Sequence, residues 1–344
     1  LEKIKSTWAP DKRTTVFDLE ITYKNGEWLI EGETSVREAY QAVNKLIEKT
    51  FSDDDVNLDF QLLPPEDFGD TTHALVNVSV GNLRSSPSHR VELVDQVLMG
   101  MEVNLIKKES FWYLVQTPSG YLGWITRVSL ERVSDKDLQN WQASERYTLI
   151  TKYSQIFSKP TEKSQVISDL VLGTIFIKKS NPGIWMEIEL PDGRVGFVKS
   201  KDVVPYQVID NQTFPDRNRI IELAKTMMGI PYMWGGNSIK ALDCSGFTST
   251  VFRTEGYQLL RDASMQANMG EEIIPDSNYI NVLPGDLIFF GSPNRITHVG
   301  LCLGGSYFIH CSGDVHINSL DESDELFNSY RKRTFRHIKR IIKN

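Results

Sequence analysis

The chain has 344 residues, 40% hydrophobic and 24% charged, an ordinary globular composition with material for roughly two or three domains. With 38 Lys and Arg against 45 Asp and Glu the net charge is −7, which argues against a nucleic-acid binder. No apolar run approaches the roughly 18 residues of a membrane span. The three cysteines lack metal-ligand spacing and are too few for a disulfide framework.

The chain starts at Leu1 rather than Met, which suggests a leader removed by processing or design and fits an exported, periplasmic or cell-envelope protein. Residues 1–72 read as a small α+β unit. Phe17, Leu19, Ile21 and Tyr23 alternate, Asn25-Gly26 supplies a hairpin turn, and Trp28 and Ile30 continue on the return strand. Ser35 and Glu38 make a capping box for a helix with Val36, Ala39, Tyr40, Val43, Leu46 and Ile47 on one stripe. Pro64-Pro65 and Gly69-Asp-Thr-Thr72 look like a linker. No chemistry is evident in this unit, and a packing role is favoured over a partner surface.

The middle of the chain repeats itself. Leu98–Lys108, Trp112–Gln116 and Ser119–Ile125 align with Leu172–Lys179, Ile184–Ile188 and Asp192–Val198, short strands joined by glycine turns. Such spacing suggests two small barrels, over 76–133 and 147–206, and both copies resemble bacterial SH3-like domains. The matched Trp112 and Trp185 are expected in the two barrel cores. Tyr121, which aligns with Arg194, breaks the repeat.

Residues 214–344 form the last unit. Asp216 caps a helix whose Ile220, Leu223, Ala224 and Met227 share a face and whose end is marked by Gly229. Gly229-Ile-Pro-Tyr-Met-Trp-Gly-Gly236 is too turn-rich for core and suits a loop lining a cleft and presenting Tyr232. Asp243 caps a second helix, with Cys244 in its first turn and Phe247 and Val251 on the same face. A helix N-terminus and a nearby imidazole both lower a thiol pKa. The imidazole comes from His298, 54 positions on, in a strand that turns at Gly304-Gly305 into Ser306–His310. His310 is placed to hold the second nitrogen of His298, completing a triad. The seven Lys and Arg of the last 14 residues are interleaved with Phe335, Ile338, Ile341 and Ile342, so a final strand or tail with solvated basic residues is expected, not a nucleic-acid patch. A Cys302–Cys311 bridge stays open for an oxidising compartment; free buried thiols are the expectation.

Six ordered motifs then carry a resemblance: Pro231-Tyr-Met-Trp-Gly-Gly236, Asp243-Cys-Ser-Gly-Phe247, Arg261-Asp-Ala-Ser-Met-Gln266, Leu283-Pro-Gly-Asp-Leu-Ile-Phe-Phe290, Thr297-His-Val-Gly300 and Phe308-Ile-His310. From about Pro215 onward the chain resembles the NlpC family, papain-like cysteine peptidases of bacterial cell walls. The resemblance implies an α+β papain-like peptidase domain behind two SH3-like β-barrels and the N-terminal α+β domain. It implies Cys244 as nucleophile, His298 as general base and acid, His310 as orienting residue and Tyr232 as a wall near the oxyanion position. No metal or organic cofactor is implied.

With SH3-like domains ahead of the peptidase, the chain is most similar to gamma-D-glutamyl-L-diamino-acid endopeptidases, which cut peptidoglycan stem peptides. In those the first SH3-like domain closes one end of the cleft and helps hold the free amine of an N-terminal L-alanine. The matching positions are Glu92, Tyr121, Asp262 and Ser264. The expected partners are therefore muropeptides, with no nucleic acid, no membrane span and a monomeric chain. A wall-binding protein with a silent peptidase domain and an amidase or acyltransferase on the same frame are the alternatives. His316 and His337 are expected to be dispensable, and His73 and His89 to lie at the surface.

Overall fold

The computed structural model describes residues 1–24, 26–51, 56–180, 183–208 and 213–343. The N-terminal alternation does form a hairpin, Phe17–Lys24 against Glu27–Thr34, and Val56–Leu62 joins it in parallel. Asn25, half of the expected turn, lies outside the described residues. The Arg37–Thr50 helix lays Ala39, Val43 and Ile47 inward, and Val43 and Ile47 pack on Ile30 and Phe60. Its expected capping box does not form. Val36 is the N-cap residue, without a side-chain cap, and Ser35 Oγ instead accepts from Val16 N–H at 2.9 Å, holding the incoming strand.

The internal repeat becomes a topological one. Each copy is a seven-stranded antiparallel sheet, and numbering strands within each copy gives both the order 7-1-4-5-6-2-3. The first copy runs from His73–Val76 to Leu130–Val133 and the second from Arg146–Leu149 to Val203–Pro205. These sheets correct the expectation of two closed β-barrels. Each order is open, and among the described residues its end strands, Leu130–Val133 and Leu93–Leu98 in the first copy, Val203–Pro205 and Val166–Val171 in the second, do not pair with each other. The exposed edge is covered by another unit instead of by closure. On Leu93–Leu98, Gln96 Oε1 accepts from Asn237 N–H at 3.0 Å and from Ser238 Oγ at 2.9 Å, and Asp169 of the second edge strand pairs with Lys240 at 2.7 Å.

The matched tryptophans also part company. Trp112 is buried with Leu63, Ile106, Leu114, Leu122 and Trp124, with Val16 of the N-terminal unit packed on that cluster. Trp185 is only half-buried, edge-on to Phe157. The two sheets meet where Ile175 N–H donates to Met99 O at 2.9 Å, a contact that needs glycine at 100: at φ +81° a Cβ there would lie 2.2 Å from the Ile175 carbonyl oxygen.

The C-terminal region places the helices Arg217–Thr226, Cys244–Thr254 and Ala263–Gln266 beside a six-stranded sheet, in the order Glu271–Ile273, Phe335–Arg340, Leu287–Ser292, Arg295–Gly304, Tyr307–Ser312, Asp314–Ser319. Phe247, Val251 and Phe252 of the cysteine helix share a core with Phe289, Val299, Leu301 and Ile309 of the sheet. Each fully buried phenylalanine contributes about 1.5–3 kcal/mol relative to exposure. Of the expected strand or tail, the strand forms over Phe335–Arg340, behind a short helix Ser329–Thr334 that holds Arg331, Lys332 and Arg333, and Arg340 pairs bidentately with the buried Asp286.

Candidate active site

Two things fix the end of the cysteine helix. Asp243 Oδ1 accepts from Gly246 N–H at 2.7 Å as an N-cap, and its Oδ2 accepts from Gly235 N–H at 3.0 Å, tying the cap to the 231–236 loop. Gly246 touches that loop so closely that a Cβ would sit 1.9 Å from Gly236 O. Behind the cap lies Arg261, 2% exposed, which donates to Asp243 Oδ2 at 2.6 Å and to Asp95 Oδ1 of the first seven-stranded sheet at 2.6 Å. Burial alone would lower the Arg261 pKa, but the two carboxylates outweigh it and hold the guanidinium charged. A buried ion triad thus clamps the sheet edge to the helix end.

Cys244 is 8% exposed at the start of that helix. Its environment does not lower the thiol pKa as the helix terminus and imidazole alone would. Burial, reinforced by the Asp243 carboxylate, pushes it up to about 12, against the N–H groups of Val299 and Ser245 and the charge of Arg261. His298 is pushed the other way, well below the usual imidazole range, by burial, by Arg331 and by His310. Both shifts favour the uncharged forms, thiol and imidazole.

The histidine tautomers follow from a chain of hydrogen bonds that starts at a backbone donor. Arg331 N–H donates to Asn328 Oδ1 at 3.0 Å, so the Asn328 amide must present its NH2 to Asn318 Oδ1 at 2.9 Å. Asn318 Oδ1, an acceptor, also lies 3.0 Å from His310 Nε2, which therefore carries the proton. His310 Nδ1 is then a bare acceptor, and His298 Nε2 at 2.9 Å must donate to it. Only His298 Nδ1 keeps a lone pair. Burial depresses His310 to about 3 despite its bond to Asn318, which favours its neutral form.

Among the predicted site residues, the structure brings Cys244, His298 and His310 to the junction of helix and sheet. Tyr232 is half-buried beside them, its pKa raised by burial and by Cys244 and Asp243, and its hydroxyl has no hydrogen-bond partner among the described residues. A second cluster joins Tyr121, Asp262 and Ser264: Tyr121 OH donates to Asp262 Oδ2 at 3.3 Å, and Arg13 Nη1 reaches both Asp262 Oδ2 at 2.8 Å and Ser264 Oγ at 2.9 Å. Glu92 is held apart from these contacts, accepting from Trp234 Nε1 at 2.6 Å. His316, expected to be dispensable, pairs in register with His310, and the ring centroids are 4.5 Å apart. Cys302 and Cys311 are free and buried.

Asn318, Asn328 and Arg13 were missed by sequence reasoning. Asn318 had a signal, since it lies two residues beyond His316 and so on the same strand face. A cavity of about 740 Å³ lies elsewhere, between the two seven-stranded sheets and the peptidase helices, lined by Met101, Arg146, Ile175, Tyr206 and Arg253. Among the described residues no group of three His, Cys, Asp or Glu is placed to hold a metal, and no helix is long and apolar enough to cross a membrane.

A cysteine at a helix start packed against strands that carry a hydrogen-bonded histidine pair is the arrangement expected of a papain-like thiol hydrolase. Residues 229–340 match the NlpC/P60 family, and residues 79–131 the bacterial SH3 domain. The probable endopeptidase NlpC of Escherichia coli is 36% identical over 118 residues, 33% of this chain and 70% of that protein. The gamma-D-glutamyl-L-lysine dipeptidyl-peptidase of Bacillus cereus is 29% identical over 234 residues, 64% of this chain and 67% of that protein. A crystal structure of an NlpC/P60 family protein from Bacillus cereus shares the fold, with a TM-score of 0.67 at 21% identity over 79% of this chain and all of that one. The chain belongs to the NlpC/P60 family and is a cysteine peptidase with the general peptidoglycan-hydrolase activity of that family.

Proposed function

We propose that this peptidase cleaves the gamma-D-glutamyl to L-diamino-acid bond of peptidoglycan stem peptides whose N-terminal L-alanine is free. In this reading residues 1–72, 76–133, 147–206 and 214–344 are its units, and it works as an exported envelope enzyme. The observation that carries the reading is the Tyr121–Asp262 hydrogen bond, through which the first SH3-like unit meets the Arg-Asp-x-Ser segment. A relative 29% identical over 234 residues is named gamma-D-glutamyl-L-lysine dipeptidyl-peptidase. Tyr121, Asp262 and Ser264, together with Glu92, which Trp234 holds, suit an ammonium, since charge-assisted hydrogen bonds are the strong kind.

The chemistry follows from the tautomers. His298 Nδ1 takes the thiol proton as Cys244 Sγ attacks the gamma-carbonyl carbon, so charge separates only in the reacting complex. The tetrahedral oxyanion forms beside backbone N–H groups and the Tyr232 hydroxyl. The C–N bond breaks, His298 returns its proton to the leaving amine, and a thioester remains on Cys244. Water, deprotonated by His298, then hydrolyses the thioester, releasing the gamma-carboxylate and restoring the thiol. His310, through Asn318, keeps His298 in the competent tautomer.

Product analysis on defined muropeptides tests the reading. A new diamino-acid N-terminus is expected, and Cys244→Ala should abolish it with the fold intact. Release of lactyl-linked fragments would instead mark an amidase, and binding without cleavage a wall-binding protein. N-acetylation of the alanine should lower kcat/KM by about 2–5 kcal/mol of transition-state binding, the cost of breaking a desolvated charge pair. Free and acetylated tripeptides cleaved within a few-fold of each other would leave a broad wall hydrolase.

A further inference from the structure

The N-terminal unit, outside both family matches, contributes a side chain to the amine-binding corner. Asp11 builds a tight turn, its Oδ1 accepting from Arg13 N–H at 2.9 Å and its carbonyl from Thr14 and Thr15 N–H at 3.0 Å each. The turn is then tied to the first seven-stranded sheet: Leu122 N–H donates to Arg13 O at 2.7 Å, Gln116 Nε2 to Thr14 O at 2.9 Å, and Val16 packs on the Trp112 and Trp124 cluster. From this anchored backbone the Arg13 guanidinium bridges two carboxylates. Nε and Nη2 bond Asp11 at 2.9 and 2.6 Å, while Nη1 bonds Asp262 Oδ2 and Ser264 Oγ. Asp262 Oδ2 is thereby filled by Arg13 and Tyr121, and Oδ1 has no hydrogen-bond partner among the described residues.

We propose that Arg13 is a positioning residue of the amine subsite, fixing Asp262 so that Oδ1 faces the substrate ammonium and closing the subsite behind it. This rests on the reading that Asp262 receives the ammonium. The charges agree in sign, because Asp11, Arg13 and Asp262 together carry −1 and Glu92 adds another negative charge, so the subsite as a whole favours a cation. A displaceable plug fits less well. Removing Arg13 from Asp262 would break its bonds there and leave the guanidinium beside Asp11 on a backbone that cannot follow. Two carboxylates preset by a fork-shaped donor are pre-organised for a cation.

The test uses the full chain. Calorimetry measures L-Ala-gamma-D-Glu and its N-acetyl form binding to Cys244→Ala with Arg13 intact or changed to Ala or Lys, and steady-state kinetics are run on the same Arg13 variants with Cys244 present. Arg13→Ala should weaken the free dipeptide about tenfold, leave the acetylated one unchanged, and raise KM with kcat within about twofold; the size is that of a half-exposed to partly desolvated pair. Arg13→Lys should recover part of the loss. Tighter binding or higher kcat/KM in Arg13→Ala would make Arg13 a blocker, and equal changes for both dipeptides, or none, would make it only a strut; either overturns the proposal. Arg13→Gln, which keeps donors towards Asp11, repeats the test if Arg13→Ala unfolds. An unmodified chain that binds both dipeptides equally overturns this proposal and the ammonium reading together. Arg13-dependent binding without gamma-glutamyl cleavage overturns only the bond assignment.

Discussion

Replacing Asn318 by Leu tests whether the histidine relay, and not mere proximity, makes the site reactive. Asn318 Oδ1 is the acceptor that keeps the proton on His310 Nε2 and thus a bare Nδ1 towards His298. Without it, His310 Nε2–H is a buried donor with no partner, at a cost of about 1–3 kcal/mol. Moving the proton to His310 Nδ1 relieves that cost, but His298 Nε2 must then accept, and its Nδ1 must carry the proton it is needed to take. Either outcome raises the barrier. The expected loss in kcat/KM is roughly 5- to 150-fold, falling on kcat, while L-Ala-gamma-D-Glu binding to Cys244→Ala carrying the change stays within about twofold. Asn318→Asp should retain more activity, because a carboxylate also accepts from Nε2–H, and it should raise the His310 pKa from its depressed value near 3. Stopped-flow or coupled assays of amine release, with nitrogen NMR of the imidazoles, read both effects. Asn318→Leu within about threefold of the unmodified enzyme would refute the relay.

The Cys244 thiol, pushed up to about 12, should be alkylated by iodoacetamide at a rate that rises about tenfold per pH unit from 6 to 9, ahead of Cys302 and Cys311, which are more deeply buried. A rate that is flat over that range would mean a preformed thiolate–imidazolium pair, and equal labelling of the three would remove the special status of Cys244. Gly246→Ala puts a Cβ into the Gly236 carbonyl and should cost about 1–3 kcal/mol in denaturant unfolding; an unchanged midpoint would show that the loop yields freely. Asp95→Ala leaves the buried Arg261 with one carboxylate and should cost about 3–5 kcal/mol, with loosening of the contact between the first seven-stranded sheet and the peptidase helix in hydrogen exchange. Protection unchanged at residues 93–98 and 237–246 would argue against that clamp.

What could be read in the sequence was local, and what could not was set by partners far along the chain. The Asp243 cap, the helix bearing Cys244 and the hairpin bearing His298 and His310 follow from caps, periodicities and turns that act within a dozen residues, and all three formed. Ser35 had the same local signature as Asp243 but lost its cap to Val16 N–H, a donor brought in by the strand that pairs across it. Barrel closure failed for a related reason: strand spacing carries no information about whether an edge will meet its own sheet or another unit, and here the Leu93–Leu98 edge meets Asn237 and Arg261. Trp112 and Trp185 occupy equivalent places in the repeat, yet only Trp112 lies under the N-terminal unit, so equal sequence contexts gave unequal burial. Arg13 is the extreme case. Nothing within its own neighbourhood marks it, since its local partner Asp11 reads as an ordinary turn residue, and its distant partner Asp262 is 249 positions away. A family motif singles out Asp262, but only the fold shows that Arg13, a residue the motif does not contain, bonds one of its carboxylate oxygens.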